Sequence, residues 1–315
     1  MNNDKINVAI LGAGAMGCLY GAYLAENKAV RLTLLDHNTD RIEAIRKNGL
    51  VMLEKNRQKV IRVDAEVSGK DLPSVDFLML FVKAHQSYEA LKRNTSLIGE
   101  NTVVVSLQNG MGNYLEISKF LPLDRIVIGT SNHNSTIQGY GKFFHAADGA
   151  TIIGGFTGEN TSFPVNRVKQ ILSSSNLDVS ISPDVKRIIW KKLFVNMAIN
   201  PLTMLLEVNN GFVVKDQYSL ACMKHVVHEG IVVASADGEN FDEEEILDLI
   251  HKICQKTALG SSSMFQDRIH KHRTEIDFIN GAVVRLASQY NIQTPYNTFL
   301  THMVHAIEDT YVDTF

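Results

Sequence analysis

Only three of the 315 residues are cysteine, and Cys18, Cys222 and Cys254 show neither a CxxC pair nor Cys/His ligand spacing. An odd number of scattered thiols argues against a disulfide framework and a structural metal, and for free thiols in a reducing compartment. Long apolar runs are missing too. Stretches such as Phe77 to Val82 and Val103 to Leu107 fall far short of the roughly 20 residues that cross a bilayer. Excess positive charge is absent, since the formal net charge is −3 and the pI about 6.4, so nothing favours nucleic acid or an anionic membrane as partner. There is no internal repeat, low-complexity tract or long run of like charge. DEEEILD, Asp242 to Asp248, reads as a solvated helix start whose acids meet the positive end of the dipole. The opening MNNDKINVAILGAGAMG lacks the charged, apolar, cleavage-site order of a signal peptide, and a cytoplasmic location is expected.

What is present is 45% hydrophobic residues over a length that suggests two domains of ordinary size. Ile6 to Leu11, Val30 to Leu35, Phe77 to Val82, Val103 to Leu107 and Ile126 to Gly129 are short and apolar on both faces, as covered parallel strands are. Helical patterns alternate with them at Met16 to Glu26, Thr39 to Lys47, Gln86 to Leu97 and Asn113 to Phe120, giving a βαβ series. Residues 137–156 read as a hairpin or meander on the sheet edge. Past Pro183 the pattern turns helical, at Lys186 to Ile199, Leu220 to Ala236, Glu243 to Thr257, Thr274 to Ser288 and Asn297 to Tyr311. The expected organisation is a Rossmann-type parallel α/β domain over residues 1–183 and an all-α domain over 184–315.

Gly12-Ala13-Gly14-Ala15-Met16-Gly17 is a GxGxxG that directly follows the first apolar strand and opens an apolar helix. In that context the glycines permit a tight turn, close approach to a pyrophosphate and close helix packing. Asp36 ends the second strand, where a carboxylate hydrogen-bonds ribose hydroxyls and repels the 2′-phosphate of NADP. NADH is therefore the favoured cofactor, with NADPH the alternative. A helix cap is the other reading of Asp36, and Arg41 is a possible phosphate partner if its loop folds back. Lys83 and Gln108-Asn109-Gly110 follow later strands, at the carboxyl ends where open α/β sheets bind ligands. A surface lysine and a turn asparagine are the plainer readings.

In KKLFVNMAINPLT, Lys191 to Thr203, each helical residue advances about 100°, so Lys192, Asn196 and Asn200 share one polar stripe while Lys191 points elsewhere. Buried polar groups need partners, and a stripe ending at Asn200-Pro201, where proline kinks or stops a helix, suits a binding floor. Helix-to-helix hydrogen bonding is the alternative. GSSSMFQD, Gly260 to Asp267, and HRTEIDFINGAVVRLA, His272 to Ala287, form a second polar cluster. There Glu275 is expected to open an apolar helix.

Together, GAGAMG, FVKAHQ, QNGMG, WKKLFVNMAINPLT, SSSMFQD and RTEIDFINGA resemble the ketopantoate reductase (2-dehydropantoate 2-reductase) family in order and approximate spacing, from about Lys5 to Ala306. The resemblance implies a Rossmann domain joined to a helical domain of the 6-phosphogluconate-dehydrogenase-like type, with a small 2-oxo acid bound in the cleft between them. It also implies a pantothenate-pathway oxidoreductase that reduces ketopantoate. By motif position Lys192 resembles the catalytic lysine and Glu275 the acid contacting the substrate hydroxyl. Asn109, Asn196, Asn200 and Ser263 resemble substrate-orienting residues, with Asn109 and Lys83 also near the cofactor. Asp36 departs from the arginine typical of NADPH-using members. GTSNHNST, Gly129 to Thr136, keeps His133 but has Ser135 where a small apolar residue is common. A paralogous reductase of another 2-oxo acid and a non-catalytic dinucleotide sensor are the rival expectations, and a homodimer is a possible assembly.

Overall fold

The computed structural model describes residues 5–155 and 163–311. The chain forms two compact units, one of residues up to Gln108 with Asn113–Ile188, the other of Asn109–Gly112 with residues from Ile189 onward.

In the first unit, apolar strands alternate with helices in the order β1 (Ile6–Leu11), α1 (Ala15–Ala25), β2 (Val30–Leu35), α2 (Thr39–Asn48), β3 (Leu50–Glu54), β4 (Arg57–Ile61), β5 (Asp64–Glu66), β6 (Phe77–Leu80), α3 (Ser87–Arg93), β7 (Val103–Ser106), α4 (Asn113–Ile117), β8 (Ile126–Ser131), β9 (Asn134–Gly139), β10 (Lys142–Ala147), β11 (Thr151–Gly155), α5 (Phe163–Ser174) and β12 (Val179–Ile181). The main sheet has the order β12-β11-β8-β7-β6-β1-β2-β5. From β5 to β8 every pairing is parallel, which gives the strand order of a dinucleotide-binding Rossmann sheet with its crossing point at β1 and β6. β11 runs antiparallel to β8 and parallel to β12.

The segment after β8 departs from the expectation of an edge hairpin. β9 and β10 do form an antiparallel hairpin, but they join β3 and β4 in a separate four-stranded sheet. β9 and β4 are exposed along most of their length, whereas β11 is largely buried. A strand with one wet face cannot sit inside a sheet covered on both sides, so the half-polar strands segregate. Phe143 of β10, fully buried, joins the core formed by β1, β2 and α1.

The second unit is helical: α6 (Val185–Leu206, beginning in the first unit), α7 (Gln217–Ala236), α8 (Glu243–Lys256), α9 (Ser263–Ile269), α10 (Asn280–Gln289) and α11 (Pro295–Asp309). Asp216 caps α7 by accepting from Tyr218 N and Ser219 N, and Asp242 caps α8 by accepting from Glu245 N. Trp190, Phe194, Met197 and Ala198 of α6 are buried against Val226 and Val227 of α7 and Val283 of α10. Gly230 lets α7 approach closely, since a Cβ there would lie 2.2 Å from Met197 Cε. Among the described residues, no helix is long and apolar enough to cross a membrane.

Two expectations fail in this unit. α6 does not end at Pro201 but runs through it to Leu206. The helix predicted from Thr274 starts only at Asn280: Glu275 has φ −101° and ψ 23°, a 3-10 turn covers Ile276–Phe278, and Ile279 at φ −104°, ψ −97° breaks the ladder. Apolar periodicity carried the prediction across this break. The Asn280-Gly281 pair, a turn signal, marked it.

Candidate active site

At the C-terminal end of β1 the chain turns through Gly12 at φ +103°, where a Cβ would stand 2.6 Å from Val82 N. Both the left-handed backbone and the contact require glycine. A Cβ on Gly17 would lie 1.8 Å from Gly12 O, so only glycine lets α1 pack so tightly on the turn. Gly14, the N-cap of α1, is different: no side chain caps the helix there, and a Cβ would meet no protein atom within 4 Å. The result is a cradle beside bare first-turn N–H groups, with the positive end of the helix dipole behind it. That arrangement suits the pyrophosphate of a dinucleotide. Ala13, Ala15 and Met16 complete the loop, and Ala13 N donates to Asp36 Oδ2 at 2.8 Å.

Asp36 is buried, and the bond from Ala13 N ties the end of β2 to the glycine turn. Its Oδ2 also accepts from Arg41 Nη1 at 2.7 Å, and its Oδ1 accepts from Asn38 N at 3.0 Å. A carboxylate has about four acceptor sites, so Oδ1 retains capacity for a ribose hydroxyl. The helix-cap reading belongs instead to Asn38, whose Oδ1 accepts from Arg41 N. Arg41 is held by Asp36 and lies 5.7 Å over the Tyr140 ring. Lys83, half-buried, follows β6 at the carboxyl edge of the sheet. Gln108 is structural: its Nε2 donates to Val82 O at 2.7 Å and Ser87 Oγ at 2.8 Å, tying the ends of β6 and β7 together. Cys18 is inert, since burial pushes its thiol up to about 12.

In the second unit, Lys191 of α6 is exposed while Lys192 is half-buried. Asn196 is half-buried and Asn200 buried on the same helical face. Burial lowers the Lys192 pKa to about 8, with the charge of Glu275 working in the opposite direction. Glu275 is itself buried, and its Oε2 accepts from Asn109 Nδ2 at 3.2 Å. The broken helix start is what makes this possible. Freed from an intrahelical bond, Phe278 O accepts from Met111 N at 2.8 Å, docking the 109–112 segment beside Glu275. Gly110, at φ +84°, is required because a Cβ would fall 2.1 Å from that carbonyl. On the other flank, Thr274 N donates to Glu308 Oε1 at 2.7 Å, and Ile276 N donates to Thr274 Oγ1 at 3.2 Å. The Glu275 backbone is therefore pinned on both sides.

Continuity of α6 through Pro201 has an equally local cause. Proline offers no N–H to the carbonyl four residues back, and that carbonyl, Met197 O, accepts instead from Asn280 Nδ2 at 3.1 Å. Asn280 is fully buried and also donates to Asn297 Oδ1 at 3.0 Å. Sequence reasoning missed Asn280, although a proline inside an apolar helix implies that some donor must serve the orphaned carbonyl. Asn280→Ala is expected to cost about 1–3 kcal/mol, the penalty for a buried carbonyl left unpaired, read as a lower urea midpoint. Ser263 is the exposed first residue of α9. Its buried neighbour Ser262 is the N-cap, accepting from Phe265 N at 3.0 Å and bonding Thr203 Oγ1 at 2.7 Å. Three consecutive serines each fitted that cap, so the sequence did not choose among them.

One unit is thus shaped for a pyrophosphate, and the other holds an ammonium tuned toward neutral pH beside a fixed carboxylate: the chain is a nicotinamide-dinucleotide oxidoreductase. Comparison with known proteins narrows the class. Family models described as ketopantoate reductase PanE/ApbA match residues 8–158, and those of its C-terminal domain match residues 184–308. A 2-dehydropantoate 2-reductase of Streptococcus pyogenes is 32% identical over 302 residues, 96% of this chain and 97% of the relative. One from Halobacterium salinarum is 29% identical, covering 95% and 98%. Among solved structures, D-mandelate dehydrogenase with NADH and anilino(oxo)acetate is similar with a TM-score of 0.90 at 30% identity, covering 98% and 99%. A PanE/ApbA family ketopantoate reductase from Ralstonia eutropha JMP134 gives 0.88 at 26%, covering 98% and 100%. The chain belongs to the ketopantoate reductase family.

Proposed function

We propose that the chain reduces the C2 ketone of ketopantoate to pantoate, with NADH as the favoured reductant and NADPH the alternative. The observation that carries this reading is Lys192 of α6, whose pKa burial lowers to about 8 against the opposing charge of Glu275. When bound, the reduced nicotinamide supplies the hydride; the glycine turn and Asp36 would hold the dinucleotide, with Lys83 and Asn109 toward its nicotinamide half. Lys192 stabilises the developing alkoxide as an ammonium and then gives its oxygen a proton. A pKa near 8 keeps the group charged at neutral pH yet ready to release. Glu275, oriented by Asn109, accepts the substrate hydroxyl. Asn196, Asn200 and Ser263 orient the carboxylate and carbonyl.

Another 2-oxo acid is the second reading, favoured by the similarity to D-mandelate dehydrogenase. Glu275 speaks for ketopantoate, because a carboxylate that already accepts from Asn109 has acceptor capacity left for a substrate hydroxyl, which phenylglyoxylate does not offer. The test is a panel of ketopantoate, 2-oxoisovalerate and phenylglyoxylate with wild type and Glu275→Gln. Ketopantoate should lead by at least about tenfold in kcat/KM, and Glu275→Gln should erase much of that lead. A wild-type preference for phenylglyoxylate would replace this reading with the second.

Asp36 sets the cofactor preference by two routes. It repels a 2′-phosphate, and it occupies the Arg41 guanidinium at 2.7 Å. Asp36→Ala is expected to raise the NADPH-to-NADH ratio of kcat/KM by about two orders of magnitude, the scale of one charge repulsion removed and one phosphate partner released. An unchanged ratio in initial-rate measurements would remove Asp36 as the discriminator.

A further inference from the structure

We propose that His133, His145 and Asp148 form a binding site in the first unit for a borderline-soft divalent cation of the Zn2+ type. His133 follows β8, His145 lies in β10, and Asp148 follows β10. His133 Nδ1 and His145 Nε2 stand 3.4 Å apart, His145 Nε2 and Asp148 Oδ1 3.7 Å apart, and the three donor atoms all lie within 4.8 Å of one another. Two nitrogens bound tetrahedrally to one Zn2+ at about 2.0–2.1 Å are separated by about 3.4 Å. The imidazole pair already has that spacing.

Backbone irregularity helps to bring the donors together. The pairing of β9 with β10 slips between His145 and Ala147, and such bulges re-aim side chains at the point where they occur. On one side the rings of Tyr20 and Tyr23 enclose the histidines, with Tyr20 5.9 Å from His133 and Tyr23 6.3 Å from His145. Gly149 N donates to His133 Nδ1 at 3.2 Å, and Tyr23 OH donates to Asp148 Oδ1 at 3.3 Å. Since His133 Nδ1 is an acceptor for Gly149, the proton between the rings belongs to His145 Nε2. One ring hydrogen stands between the two imidazoles, and the Gly149 N–H must turn from His133 Nδ1 before that nitrogen's single lone pair reaches a cation. A divalent cation takes its place as that hydrogen shifts from His145 Nε2 to Nδ1 by tautomerisation, so both rings bind as neutral imidazoles and no proton is released.

A histidine–histidine hydrogen bond alone would account for the two rings but not for the carboxylate that converges on them. Two features set the strength. Asp148 is exposed and leaves a solvent-facing coordination position. His133 Nε2 is buried without an acceptor, whereas ligating histidines usually donate that N–H, an outer contact worth about 10- to 100-fold in affinity. The site is therefore exchangeable and weaker than a closed structural centre.

The test is calorimetric titration of chelator-treated full-length protein with zinc sulfate, repeated in buffers of different ionisation enthalpy, with Co2+ absorption as a second readout. At pH 8 one equivalent should bind with a heat that does not depend on the buffer's ionisation enthalpy, since neutral ligands release no proton, and give the visible spectrum of four-coordinate Co2+. His145→Ala and Asp148→Asn should each weaken binding by at least about tenfold. Asp148 is exposed, so its variant keeps the fold if the buried His145 change does not. Absence of heat beyond dilution, or affinity unchanged in Asp148→Asn with its thermal unfolding intact, would overturn the site and assign any residual binding to exposed histidines such as His225 or His228.

Discussion

Lys192→Ala is expected to lower kcat for 2-oxo acid reduction by about three orders of magnitude, the combined scale of a lost proton donor and lost alkoxide stabilisation. NADH affinity should stay near wild type, because Lys192 belongs to the second unit and the glycine turn to the first. The pH profile carries the same assignment. With a pKa lowered from 10.5 to about 8, wild-type reduction should be level through neutrality and fall as pH rises through about 8. The reverse oxidation, which needs the free amine, should rise over the same interval. Stability follows from the same shift. The folded state binds this proton less tightly than the unfolded chain, so the charged lysine is a cost at pH 7 that fades as pH rises from about 8. Lys192→Met should therefore melt higher than wild type at pH 7 while turning over poorly, a trade of stability for function. Near-normal kcat in Lys192→Ala, measured by NADH absorbance, would rule out the proton-donor role.

Gly17→Ala should be nearly as damaging, by a different route. Its Cβ would fall 1.8 Å from Gly12 O and 3.0 Å from Gly12 C, and backbone atoms cannot swing aside as a flexible side chain can. α1 would have to lift off β1, shifting the first-turn N–H groups by an ångström or more. A displacement of about 1 Å at a positioning element costs on the order of 100-fold. NADH binding, followed by fluorescence titration, should weaken by at least that factor, with a loss of roughly 2–4 kcal/mol in denaturant stability. Gly14→Ala separates cofactor contact from folding. Its Cβ meets no protein atom within 4 Å, so the melting temperature should hold while NADH binding falls, because the methyl occupies the place into which the pyrophosphate backs. Gly14→Ala with wild-type NADH affinity would contradict the cradle.

The sheet was legible because β6, β7 and β8 are buried along their whole length and β1 and β2 along most of theirs, although β2 exposes Arg31. β3, β4 and the short β5 were not, since strands half exposed to water carry little periodicity in five residues or fewer. Helical angle separates Lys192 from Lys191 without any knowledge of the fold, and in α6 the first is half-buried and the second exposed. What local pattern could not supply is pairing across the chain. Asn280 serving Met197 O, Met111 N serving Phe278 O and Glu308 anchoring Thr274 N join residues 83, 167 and 34 positions apart. These long-range bonds decide that α6 passes through Pro201 and that Glu275 sits on a turn instead of a helix.

The most direct measurement is the initial rate of ketopantoate reduction by the full-length protein with NADH and, separately, NADPH, at pH 7 and at pH 9. The expected result is ketopantoate-dependent oxidation that is faster with NADH and slower at the higher pH, as the Lys192 ammonium is lost. Ketopantoate that leaves both cofactors unoxidised, under conditions where NADH binds, would contradict it.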